Sequence, residues 1–189
     1  MQNFTFHNPC QIEFGAGQIA KLTTLIPADA RVLLLYGGGS IKKNGVFQQV
    51  SNALKAHHWQ EFAGVEANPE FSTLMRAVEF ARQQRLDFVL AVGGGSVVDA
   101  AKFVAAAVPH EGDCWQIIGN RVPLTRALAI GVVLTLPATG SESNFAAVIS
   151  RRETQDKLSF KNPLVFPKFA ILDPETTFSL PQRQISNGI

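Results

Sequence analysis

The sequence predicts an α/β protein: a parallel sheet with helices on both faces, an extended N-terminal arm and a β-hairpin insertion. Apolar stretches of strand length alternate with segments of helical periodicity, and the connections between them are short, the pattern of a sheet covered on both sides. Two of those stretches, residues 31–36 and 87–92, run directly into Gly-Gly-Gly-Ser, at residues 37–40 and 93–96. A further apolar stretch, residues 128–136, leads into the hydroxyl- and amide-rich run Pro137-Ala-Thr-Gly-Ser-Glu-Ser-Asn144.

Taken in order, residues 3–14 read as the extended arm, with Phe4, Phe6, Ile12 and Phe14 as strand material around Asn8-Pro9. Gly15-Ala16-Gly17 punctuates the arm, and Ile19, Leu22 and Leu25 continue at helical spacing to Pro27. Residues 31–36 form a buried strand, 44–57 a helix with Val46, Val50 and Leu54 inward, and 59–65 a further strand. Asn68-Pro69 turns the chain into an amphipathic helix whose inner face is Leu74, Ala77, Val78 and Ala81. Residues 87–92 are continuous and apolar enough for a strand buried on both faces, followed by a helix from Ser96 to near Val108. Residues 109–123 read as loop, with Trp115 packing on a short helix, and 128–136 as another buried strand. Residues 146–150 and 157–161 make a hairpin across 152–156, and 169–172 a last core strand stopped by Asp173-Pro174.

The junction at 93–96 carries the chemistry. Three glycines leave no Cβ in the way of a ligand. The helix that follows turns its free N–H groups and the positive end of its dipole toward the same spot, a cradle for phosphate. Ser96 and Asp99 also fit a capping box, which satisfies helix donors without any ligand. In doubly wound sheets ligands sit at the carboxyl ends of the strands, so both glycine loops and the 135–144 loop should converge on one Rossmann-like dinucleotide cleft. No Gly-x-Gly-x-x-Gly fingerprint is present; Gly15-Ala-Gly-Gln-Ile-Ala20 follows the arm and reads as a turn. Gly38 and Ser40 stand where such folds place an acid on the adenosine ribose. With no acid there and Lys42 and Lys43 close by, a 2′-phosphate is tolerated, which favours NADP over NAD. The same lysines also fit a solvated helix start. Thr135, Thr139, Ser141 and Asn144 offer donors to a ligand or to a hydrogen-bonded turn, and Lys157 reaches a phosphate or lies on the hairpin surface.

Composition narrows the class. Across 189 residues, 46% hydrophobic and 17% charged content is that of a globular chain with a sizeable core. A net charge of +2, with no run of Lys and Arg longer than a pair, argues against nucleic acid and membrane surfaces as partners. Cys10 and Cys114 make no disulfide framework, and the N-terminus has neither basic flank nor apolar core for a signal peptide. A cytoplasmic protein is expected.

Three segments carry a resemblance. Gly93-Gly-Gly-Ser-Val-Val-Asp-Ala-Ala-Lys102, Leu134-Thr-Leu-Pro-Ala-Thr-Gly-Ser-Glu-Ser143 and Leu180-Pro-Gln-Arg-Gln-Ile-Ser-Asn-Gly188 resemble the iron-containing (group III) alcohol dehydrogenases. Tyr36-Gly-Gly-Gly-Ser-Ile-Lys-Lys-Asn-Gly45 is similar to their NADPH-dependent aldehyde reductase and butanol dehydrogenase branch. The resemblance implies a nucleotide-binding domain, residues 1–180, and at 181–189 the start of an all-helical domain that holds a divalent metal, iron or zinc. It implies hydride transfer between NADP and a small alcohol or aldehyde. By the same resemblance Gly38 and Ser40 meet the 2′-phosphate, Asn68 lines the adenosine side, and Gly94, Gly95 and Ser96 hold the pyrophosphate. Asp99 lies near the nicotinamide, Thr135, Thr139 and Asn144 around the cofactor, and Lys157 on its phosphate or ribose. The arm pairs across a homodimer. In that family the first metal ligands follow shortly after the Ser-Asn-Gly segment, whereas this sequence ends at Ile189, and His7, His57, His58 and His110 form no i, i+4 pair. The 189 residues alone are therefore expected to hold no metal and to be catalytically incomplete. Two other readings remain: a dehydroquinate-synthase-like lyase domain, which shares the glycine cradle, and a non-catalytic module that binds nucleotide or dimerises.

Overall fold

The apolar residues sort onto two faces of one sheet in a computed structural model that describes residues 3–5, 7–119 and 121–188. In chain order the strands are β1 (Gln11–Phe14), β2 (Arg31–Tyr36), β3 (His58–Phe62), β4 (Phe88–Gly94), β5 (Ala129–Leu136), β6 (Ala146–Arg151), β7 (Asp156–Lys161) and β8 (Phe169–Leu172). The helices are α1 (Leu22–Leu25), α2 (Val46–Ala53), α3 (Phe71–Gln83), α4 (Gly95–Ala107) and α5 (Gln182–Gly188). Six strands form a parallel sheet in the order β1-β8-β5-β4-β2-β3, and β6 and β7 pair antiparallel as a separate hairpin.

Alternation along each strand sends side chains to opposite faces. Val32, Leu34 and Tyr36 meet Leu22 of α1, Val46 and Val50 of α2, and Leu54 just past it on one side. Leu33 and Leu35 join Leu74, Ala77, Val98 and Phe103 of α3 and α4 on the other. Slipping β2 by one residue would exchange the two sets, so burial on both faces fixes the register through packing. Gly131 in β5 is a close-approach position: a Cβ there would lie 2.3 Å from Phe169 Cζ, and the Phe169 ring stacks on Phe88 at 6.2 Å. Arg82 of α3 closes the far end of α4 by donating to the carbonyls of Ala107, Val108 and His110 at 2.7, 2.9 and 2.6 Å. These carbonyls lie at and just past the C-terminal end of α4, where backbone groups lack intrahelical partners.

The predicted fold class holds, with differences at the ends of elements. Of the arm, only residues 11–14 form a strand; Phe4 is 87% exposed, and Phe6 lies outside the described residues. Asn8 explains the late start. Its Oδ1 accepts from Cys10 N at 2.9 Å, a local turn, while its Nδ2 donates to Ser143 O at 3.1 Å and docks the arm on the loop after β5. The second helix is shorter than its periodicity, because residues 40–42 wind into a 3-10 turn and Gly45, at φ 83°, resets the chain before α2. Gly15 and Gly17 are a turn, as read, both with positive φ. The hairpin is fastened to the loop before α3: Ser150 N donates to Pro69 O at 2.9 Å, and Arg152 N to Glu70 Oε1 at 3.1 Å.

Candidate cofactor-binding cleft

The sheet order reverses direction between β2 and β4, and a cleft of about 340 Å³ opens there beyond their carboxyl ends. That is the place where doubly wound sheets hold ligands. Gly37 to Ile41 form one wall, Gly93 to Val97 the floor, and Thr135 and Leu136 at the end of β5 the other wall. The chain passes from β4 straight into α4, with Gly94 extended at the N-cap and no side chain capping the helix. The predicted capping box is thus not what forms. Gly93 to Val97 line the cleft, so the end of α4 that carries its free amides and the positive end of the helix dipole lies at the cleft floor.

The three glycines do separate work. A Cβ on Gly93 would lie 2.6 Å from Val97 Cγ2, and one on Gly95 would lie 2.4 Å from Thr139 Oγ1. Both glycines let α4 and the loop after β5 close onto the end of β4. Gly94 faces Leu136, 3.2 Å from where its Cβ would sit. A backbone cradle this tight, floored by the start of a helix, fits a diphosphate. In the other wall a Cβ on Gly38 would meet nothing within 4 Å, so the loop there leaves free space beside Ser40.

Asp99 is committed elsewhere. Its Oδ1 accepts from Ser141 Oγ at 2.6 Å and its Oδ2 from Val148 N at 3.0 Å. Burial pushes its carboxyl up, and these two bonds partly restrain it. One turn on, Lys102 is fully buried, with Nζ donating to Asn144 Oδ1 at 2.9 Å and Ala146 O at 2.7 Å. Desolvation lowers its pKa to about 8, against the pull of Asp99, Glu142 and Cys10. Asn144 also accepts from Ala146 N at 2.9 Å and donates to Gly140 O at 2.9 Å, so both ends of its amide serve the loop. Asp99 and Lys102 staple residues 140–148 to the helix that floors the cleft.

Of the residues singled out from sequence, the structure brings Gly38, Ser40, Gly94, Gly95, Ser96 and Thr135 together in the cleft. Thr139, Asp99 and Asn144 lie behind it, in the packing and staple just described. Asn68 and Lys157 form a pair of their own: Lys157 Nζ donates to Asn68 Oδ1 at 2.9 Å, joining the hairpin to the loop beside Glu66 and Ala67, which do line the cleft. Lys42 corrects the sequence reading. It does not stand free beside Ser40, because its Nζ is 3.0 Å from Glu61 Oε2 and 4.6 Å from the centre of the Phe47 ring. Glu66, Leu180 and Gln184 line the cleft unforeseen. An acid placed just past a strand end, beside Asn68-Pro69, was signal enough for Glu66; nothing in the pattern marks the other two.

No three His, Cys, Asp or Glu side chains group into a metal site among the described residues. A divalent metal therefore finds no fitting ligand set in this part of the fold. Both cysteines are free and buried, and burial pushes the Cys10 thiol up to about 11. Among the described residues no helix is long and apolar enough to cross a membrane.

Residues 9–174 match the family model for iron-containing alcohol dehydrogenases. The chain is 53% identical over its whole length to the NADPH-dependent aldehyde reductase YqhD of Escherichia coli K12, and covers 50% of that protein. It is 46% identical, again over its whole length, to the probable NADH-dependent butanol dehydrogenase 1 of Bacillus subtilis, of which it also covers 50%. Among solved structures, 98% of the chain overlays 48% of E. coli YqhD with a TM-score of 0.94 at 53% identity. The NADH-dependent butanol dehydrogenase A of Thermotoga maritima overlays the whole chain with 48% of its own, at a TM-score of 0.94 and 46% identity. The chain thus spans about half the length of the relatives it matches.

Proposed function

The chain belongs to the iron-containing alcohol dehydrogenase family, and from that premise we propose that it binds a nicotinamide dinucleotide, NADP in preference to NAD, for hydride exchange with a small alcohol or aldehyde. The observation that carries the reading is the uncapped start of α4, opening between two glycine loops at the point where the strand order reverses. When bound, the nicotinamide ring supplies or accepts the hydride. The chain's own residues bind and orient. The backbone amides of Gly94, Gly95 and Ser96 hold the pyrophosphate at the helix N-terminus. Gly38 leaves room for a 2′-phosphate and the Ser40 hydroxyl donates to it. Thr135 faces the nicotinamide half, at the end of β5. Asn68 and Lys157 close the adenosine side as a pair. Asp99, Thr139 and Asn144 act from behind, by holding the loop after β5 and the first turn of α4 in register. Residues 1–180 form the nucleotide-binding unit and 181–189, in which α5 falls, the start of the helical domain. The family's metal is assigned to that domain.

Calorimetric titration with both dinucleotides tests the reading. NADPH is expected to bind more tightly than NADH, and Ser40→Asp to weaken NADPH by about tenfold, narrowing or reversing the preference, because a carboxylate then faces the 2′-phosphate. Equal affinity of the unaltered chain for NADPH and NADH would refute the NADP assignment.

The same reading extends to assembly. β1 is an edge strand, with nothing paired on its outer side among the described residues, and Phe14 and Ile12 on it are 73% and 44% exposed. An exposed apolar edge invites pairing with another chain, which supports a homodimer built on the arm. Free, buried cysteines support a reducing, cytoplasmic setting. Sedimentation equilibrium is expected to show a dimer, and a monomer at every concentration would count against it.

A further inference from the structure

Beside the cleft stands an ion pair that the sequence alone left unconnected. Residues 40–42 form a short 3-10 turn in which Ser40 and Ile41 line the cleft, while the side chain of Lys42 leaves it. The Lys42 ammonium lies 3.0 Å from Glu61 Oε2, 4.6 Å from the centre of the Phe47 ring and 5.4 Å from that of Tyr36. Glu61 is itself fixed. β2 and β3 pair with Leu34 opposite Glu61, which puts Glu61 on the same face of the sheet as Leu34 and Tyr36, and the Tyr36 hydroxyl donates to Glu61 Oε2 at 2.8 Å. Contacts with Tyr36 and Glu61 hold the ammonium above the ordinary lysine range, and Lys42 and Tyr36 hold the carboxyl below its own. Both groups stay charged and stay together. A cation within one residue of the cleft wall is drawn back against the sheet by a carboxylate and two rings.

We propose that Glu61 is a positioning residue for cofactor selectivity, holding the Lys42 ammonium against β3 and Phe47 and so withholding it from the 2′-phosphate position at Gly38 and Ser40. The inference rests on the dinucleotide reading of the cleft given above. Glu61 and a 2′-phosphate compete for one cation. The pair is half-exposed, so its hold is modest and a phosphate dianion can loosen it, but part of the attraction is always set against Glu61. The chain therefore discriminates between NADPH and NADH less than its glycine loop and lysine would allow. NADH, which brings no phosphate to that position, is indifferent to where Lys42 points.

The test is a double-mutant cycle read by calorimetric titration with NADPH and NADH. Glu61→Gln keeps the size of the side chain and an acceptor for Tyr36 while removing the charge that holds Lys42. It is expected to tighten NADPH by about two- to fivefold, the worth of an exposed ion pair, and to leave NADH unchanged. In a Lys42→Met background the same substitution should give no gain for NADPH, because there is no cation left to release. A gain that persists without Lys42 would mean that the carboxylate acts by its field alone, and would overturn the proposal. So would NADPH affinity that is unchanged or weaker in Glu61→Gln with Lys42 present. Either result would leave intact the reading of the cleft, since the unaltered chain would still bind NADPH. Failure of the unaltered chain to bind either dinucleotide would overturn that reading and this inference with it.

Discussion

Replacing Lys102 with Met is expected to lower the stability of the folded chain by about 3 kcal/mol at pH 7, the usual loss when one partner of a buried charged network is removed. Methionine fills the space but donates nothing. Asn144 Oδ1 and Ala146 O each lose a donor, and Asp99 keeps a buried carboxylate without the ammonium one turn away. Urea denaturation measures the loss, and a change below about 1 kcal/mol would show that the staple is dispensable. The pH dependence gives an independent reading. Burial holds the folded pKa of Lys102 at about 8 against the ordinary 10.5, so between those values the unfolded chain holds a proton that the folded chain has released. Stability then rises with pH across that window through this group. Below it both states are protonated and the desolvation penalty stands in full. Lys102→Met has no such group, so the gap between the two proteins should widen as pH rises from about 8 to 10.5. Cys10, with its thiol raised to about 11, works in the opposite direction, and more so in Lys102→Met, where the ammonium that lowers the thiol is gone, so it widens the same gap.

The second large effect is expected at Gly95. Its alanine Cβ would fall 2.4 Å from Thr139 Oγ1, a distance that real Cβ atoms do not show, and a tight 3.0 Å from Thr139 Cγ2. Either the loop after β5 or the first turn of α4 must move, and that turn carries the amides assigned to the pyrophosphate. Small misplacements of binding groups have large consequences, so NADPH affinity should fall at least about tenfold in Gly95→Ala. Adding Thr139→Ala removes Oγ1 and Cγ2 and leaves a contact of 3.2 Å to Cβ, so the double variant should recover much of the binding. Gly95→Ala binding as tightly as the unaltered chain would show that the helix start is not the cradle. Failure of Thr139→Ala to rescue would show that the clash is not the cause.

Much of this was legible because it is local. Each Gly-Gly-Gly-Ser follows its strand directly, and the strands bury both faces, so sheet, helices and cleft all follow from short windows. What escaped depends on distant partners. Asp99 is bound by groups 42 and 49 residues further on, which no window of the sequence joins to it. Lys102 had a visible signal, since its neighbours from Ala100 to Ala107 are small or apolar on every side and all are buried, leaving a lysine there no solvent-facing side. Lys42 was misplaced for the opposite reason: proximity in sequence to Ser40 suggested a shared ligand, while its actual partner comes from the next strand.

β1 has a consequence for the order in which the protein is made. Among the described residues its strand partner is β8, and the turn that launches it is tied by Asn8 to Ser143, 135 residues later. At a ribosomal rate of about 5–20 residues per second, the N-terminal strand must wait on the order of ten seconds for those partners to emerge. From the time residue 136 emerges until residue 169 follows, β5 stands as a bare sheet margin, and β1, made before the strands it joins, is the last to find its place. The window in which a nascent chain needs shielding is therefore set by residues 8–14 rather than by its core.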